Sequence, residues 1–94
     1  MLFVQLMKPR SDINWMEVAK RSVAYKIPEV GVEIVGEYVL AGTDPTYLAI
    51  FKADHIAQIQ ALGLPWMDLY DISVYPACTI EEMREMIKQM VPPS

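Results

Sequence analysis

Between Leu64 and Pro76 the chain reads L-P-W-M-D-L-Y-D-I-S-V-Y-P, and within those thirteen residues its apolar period changes from helical to alternating. That change constrains the fold more than any other feature. Pro65 lacks an amide donor and restricts Leu64 before it, so a helix must end there. From residue 71 to 77, Ile72, Val74 and Pro76 fall on one side of an extended chain, and Ser73, Tyr75 and Ala77 on the other. Pro76 cannot donate to a ladder, so this strand either stops there or lies at a sheet edge. Asp68 and Asp71 read as turn or capping residues that bond nearby amides. Trp66 is expected to be mostly buried, locking the helix before it to the strand after it.

The remaining segments group around this one. Residues 2–8 form a strand with Leu2, Val4 and Leu6 on one side and Phe3, Gln5 and Met7 on the other, stopped by Pro9. Ser11 or Asp12 caps a first helix that runs to Lys26, with Trp15, Met16, Val18, Ala19, Ser22 and Val23 at helical spacing. Residues 32–41 make a long strand in which Gly36 marks a bulge or a close backbone approach. A-G-T-D-P-T is a turn by composition, and Tyr47–Lys52 is the return strand of a hairpin. Asp54 opens a second helix over His55–Leu62, with Gly63 beyond its end. Thr79 and Glu82 have capping-box spacing before a last helix, Ile80–Val91, which Pro92 and Pro93 end. Ile80, Met83, Ile87, Met90 and Val91 form one stripe on it, expected to pack on the finished domain.

The order is β-α-β-β-α-β plus a terminal helix, an α+β arrangement of the ferredoxin-like kind in one domain, residues 1–94. Helices would cover one sheet face. The other would carry Phe3, Gln5, Met7, Glu33, Val35, Glu37, Val39, Ser73 and Tyr75, or the opposite register where a bulge at Gly36 shifts it. The chain is 53% hydrophobic, with seven Met and two Trp, more than one small core can hide. A homodimer joined through the open sheet face follows as an expectation. The net charge of −4 argues against a nucleic-acid partner, and the early basic residues read as a solvated helix face. No apolar run is long enough to span a bilayer, and the start lacks the pattern of a signal peptide. Cys78 is the single cysteine, which fits a reduced, cytoplasmic setting and a buried or half-buried apolar role rather than a nucleophile.

On the opening M-L-F-V, the hairpin ending Y-L-A-I-F-K-A-D and P-W-M-D-L-Y-D-I-S-V-Y-P, most of the chain resembles the dimeric α+β barrel superfamily. Within it the chain is similar to a small family of stand-alone bacterial and archaeal domains. The resemblance implies two ferredoxin-like subunits with their open sheet faces packed together. It also implies a small hydrophobic or aromatic ligand held between sheet and helices. Relatives in that superfamily include cofactor-independent monooxygenases, muconolactone isomerases, haem proteins and ligand-sensing regulatory domains.

Three functional readings follow. One is a dimeric protein holding a small hydrophobic ligand, with Trp66, Tyr47, Tyr75, Glu33 and Glu37 as candidate ligand-binding residues. A second is an enzyme without a cofactor. It would use His55 as base, Tyr75 or Tyr47 as hydrogen-bond donor, and Glu33 or Glu37 as a carboxylate of raised pKa. The third is a ligand-sensing or partner-binding module that uses the Met-rich last helix. Each residue also has a bland reading: His55 at a helix end, Tyr75 in an interface, the glutamates in solvent. One His gives no metal-ligand spacing, so no metal or other cofactor is expected. His55, Trp66 and Tyr75 are the residues expected to converge on a pocket.

Overall fold

The computed structural model describes residues 1–92. Four strands, β1 (Leu2–Pro9), β2 (Glu33–Val39), β3 (Tyr47–Lys52) and β4 (Tyr70–Ala77), form one antiparallel sheet of order β2-β3-β1-β4. The helices are α1 (Trp15–Ala24), α2 (Ile56–Gly63) and α3 (Ile80–Met90), with a single 3₁₀ turn over Leu64–Trp66. This is the α+β, ferredoxin-like arrangement. The edge position of β4 accommodates Pro76, whose missing donor would break a central ladder.

Local chemistry sets the helix starts. Asn14, rather than Ser11 or Asp12, caps α1, its Oδ1 accepting from the amides of Met16 and Glu17 at 3.0 and 3.2 Å. His55, rather than Asp54, caps α2: its Nδ1 accepts from the Ala57 amide at 3.0 Å, while Gln58 accepts from the His55 amide at 2.8 Å. Thr79 and Glu82 complete the expected reciprocal box at α3, at 3.0 and 3.1 Å. Pro93, expected to help end that helix, lies outside the described residues.

The sheet faces differ from the sequence expectation. Phe3, Gln5 and Met7 point to the helices, not to the open side. They pair with Phe51, Ala49 and Tyr47 of β3, and Gln5 and Met7 with Val74 and Ile72 of β4. Phe3, Ala49, Phe51 and Ala53 meet Ile59 and Leu62 of α2 in the main core. Alternation alone fixes which residues share a side of β1; only packing against α2 decides which side is covered. The open face carries Leu2, Val4, Leu6, Leu48, Ile50, Ser73 and Tyr75, by the same register.

A bulge falls where Gly36 announced it, between Ile34 and Gly36. A Cβ there would come within 2.9 Å of Tyr38 Oη. The extra residue splits two glutamates that share parity. Glu33 pairs with Lys52 on the open face, whereas Glu37 pairs with Ala49 on the helix side.

Two helices pack less than their stripes imply. In α1 only Val18 and Arg21 are half-buried; Trp15, Met16 and Val23 are exposed. α3 has no buried residue and does not lie on the domain. Cys78, before it, is exposed rather than buried or half-buried. No helix among the described residues is long and apolar enough to cross a membrane.

Candidate functional site

Because α1 stands off the sheet, a cavity of about 500 Å³ opens between them. That volume lies within the range of roughly 300–1,000 Å³ typical of small-molecule sites. Gln5, Met7, Tyr47 and Phe51 come up from the sheet, Leu62, Trp66 and Tyr70 from the α2–β4 side, and Val18 and Tyr25 from the α1 side. Glu37, Val39 and Thr46 border it along β2 and the hairpin turn.

Aromatic rings build one wall. Tyr25 meets Trp66 edge-on, with ring centroids 5.3 Å apart, and Trp66 meets Tyr70 at 6.2 Å. Such edge-to-face contacts stabilise a defined ring arrangement beyond simple burial. Trp66 is a half-buried lining residue, less covered than the mostly buried bolt expected from sequence. It holds the end of α1 as much as the end of α2.

A polar clamp fixes α1 above this wall. Arg21 donates to both carboxylate oxygens of Asp68 at 2.7 and 3.1 Å, to the Pro65 carbonyl at 2.8 Å and to Glu17 at 3.1 Å. Its guanidinium also lies 5.9 Å over the Trp66 ring. Bonding to Arg21 holds the Asp68 carboxyl below its ordinary pKa, and Asp68 and Glu17 raise that of Arg21. The sequence reading placed Arg21 on a solvated face and Asp68 in a local turn. Their distance of 47 positions hides the pairing from any local pattern.

The polar groups of the cavity are few. The Tyr47 hydroxyl donates to Glu37 Oε1 at 3.2 Å. Burial, and then the charge of Glu37, push the Tyr47 phenol well above its ordinary pKa. Burial also raises that of Tyr70. Both phenols stay neutral near pH 7 and act as hydrogen-bonding groups, not bases. Gln5 is 3% exposed, and its Nε2 has no hydrogen-bond partner among the described residues. A Cβ on Gly63 would come 3.2 Å from that atom, so the glycine leaves room for the amide beneath α2. A buried amide without a partner is costly, and in native proteins it calls for a partner such as a water or a ligand.

The candidate residues thus divide. Trp66, Tyr47 and Glu37 meet at one cavity. His55, Tyr75 and Glu33 do not. His55 is exposed and its Nδ1 is engaged in capping α2. Tyr75 is 54% exposed on the opposite sheet face, and Glu33 lies on that same face. The expected convergence of His55, Trp66 and Tyr75 is not what the fold produces, because β4 turns Tyr75 away from the helices. Among the described residues no group of three or more His, Cys, Asp or Glu side chains is placed to hold a metal ion. Gln5 was missed, although a lone amide inside the apolar run L-F-V-Q-L-M is a readable signal. Tyr25, Tyr70 and Arg21 carried no such signal.

The model of one family, described as a domain of unknown function (DUF3303), matches residues 1–91. No curated protein and no solved structure matches the chain.

Proposed function

Since the chain belongs to the DUF3303 family, whose description assigns no activity, we propose its function from geometry: a homodimeric α+β barrel protein that binds a small hydrophobic, ring-containing ligand between α1 and the sheet. The observation that carries this reading is the cavity of about 500 Å³ walled by the edge-to-face rings of Tyr25, Trp66 and Tyr70. The Trp66 and Tyr70 rings suit a flat apolar body. Tyr47 and Glu37, at the cavity border, supply the few directional bonds that orient such a ligand.

The dimer is proposed through the open sheet face, where Val4, Leu6, Leu48 and Ile50 present apolar side chains. A catalytic role for His55 or Tyr75 draws no support from their positions.

The test is a thermal-shift and Trp-fluorescence screen with ring compounds of naphthalene size. A true ligand at 100 times its Kd stabilises the fold by about 2.7 kcal/mol, so its melting shift is large and saturable. Tyr47→Phe and Trp66→Ala should weaken binding. A screen in which no compound shifts melting or quenches Trp fluorescence overturns the ligand reading. Light scattering that returns only the 10.7 kDa chain mass overturns the dimer.

A further inference from the structure

We propose that α3 is an exchanged arm: in a two-fold dimer, the helix of each subunit packs on the body of the second copy, alongside its open sheet face. This deepens the reading of that face as a subunit interface and rests on it.

The helix is locally well specified. The Thr79–Glu82 box satisfies its first amides, and Glu81 and Glu82 in the first turn and Lys88 in the last complement its dipole. Ile80, Met83, Ile87 and Met90 recur at helical spacing. They are 50%, 44%, 47% and 74% exposed. A helix of 11 residues is marginal alone in water and depends on burying its apolar side. Its own subunit does not provide that cover, since every residue of α3 is exposed.

Two quantities of the whole chain point to a second copy as the cover. The radius of gyration is 16.4 Å, against about 12 Å for a compact chain of this length. The accessible surface is 6915 Å², against about 5,500 Å² for a compact monomer of this mass. The excess of about 1,400 Å² falls within the roughly 1,000–2,500 Å² that each partner of an obligate homodimer hides.

The second copy also offers a surface of the right kind, since α3 would lie beside a sheet face that is apolar at Val4, Leu6, Leu48 and Ile50 and extend the same interface. A two-fold exchange repeats one contact twice and closes at two copies, so neither stripe is left bare.

Isotope-filtered NMR on a mixture of labelled and unlabelled wild-type chains tests the arm directly. Nuclear Overhauser effects are expected between the methyl groups of Met83, Ile87 or Met90 in one chain and the body of the other. Sedimentation equilibrium of full-length Met83→Glu/Ile87→Glu should show a dimer weakened about 100-fold or more, from the loss of two buried apolar side chains. Arg84→Gln, off the stripe, should leave the dissociation constant within about threefold, as expected for an exposed charge. Contacts of α3 confined to its own chain, or none at all, overturn the arm, whether or not the stripe variant folds. A wild-type dimer of unchanged affinity in the stripe variant overturns the arm but leaves the sheet-face reading standing. A wild-type monomer overturns both. A monomer whose α3 resonances respond only to phosphatidylcholine–phosphatidylglycerol vesicles assigns the stripe to a membrane surface and overturns the proposal.

Discussion

The Tyr47 hydroxyl and Glu37 carboxylate, 3.2 Å apart at the cavity border, show how burial and charge act on one residue. The phenol is held neutral well above its ordinary pKa. The folded state therefore keeps a proton that the unfolded chain releases near pH 10, so this contribution is fully present below pH 10 and is lost as pH rises beyond it. Absorbance titration at alkaline pH should show part of the tyrosine signal delayed and then released together with unfolding. Tyr47→Phe should remove much of that delay. Trp66 illustrates a different balance. A fully buried Trp truncated to Ala costs about 3–5 kcal/mol. Trp66 is half-buried and borders a cavity, so Trp66→Ala should cost about 2 kcal/mol in a urea titration, with most of the loss at the α1 end.

At the scale of elements, α1 and α2 cover the same sheet face on different terms. α2 sets Ile59 and Leu62 into the core, and Ile59 is fully buried. α1 buries nothing and is held by half-buried Val18, the Tyr25–Trp66 contact and the Arg21–Asp68 clamp. Native-state hydrogen exchange should show α2 amides opening only with global unfolding and α1 amides opening locally. Asp68→Ala should speed α1 exchange several-fold while leaving global stability nearly unchanged, because Asp68 is solvent-exposed and the pair is screened from that side. Bonding to Arg21 depresses the Asp68 pKa, so the clamp's contribution is present above the ordinary carboxylate pKa and is lost as pH falls through the lowered value. Acid should thus free α1 before it unfolds the sheet. Equal exchange in α1 and α2 would contradict this division.

At the scale of the whole molecule, the dimer proposed above makes stability a property of two chains, with α3 and the open sheet face as the surfaces that a second copy covers. An obligate dimer melts at a temperature that rises with protein concentration, because dissociation accompanies unfolding. Calorimetric scans across a hundredfold range of concentration should show a rising Tm for the wild type. The Met83→Glu/Ile87→Glu variant, whose dimer is weaker, should melt lower at every concentration. A flat wild-type profile would mean that the single chain is the folding unit.

The order of elements and the capping box at Thr79 were determined by the sequence alone, which also narrowed Gly36 to a bulge or a close approach and Pro76 to a strand end or a sheet edge. Each is a local signal: a side chain reaching an amide within three residues, a missing donor, a missing Cβ. Of the site, Tyr47, Trp66 and Glu37 were legible as aromatic and acidic residues near element ends. The tertiary structure decided what no local signal encodes. It turned Phe3, Gln5 and Met7 inward, since alternation has a period but no direction until a helix covers one face. It put Glu33 and Glu37 on opposite faces, since one bulge reverses parity. It joined Arg21 to Asp68 across the fold and buried the Gln5 amide nitrogen beneath α2. It also left α3 projecting, since an amphipathic stripe records that a helix must be covered without recording by what.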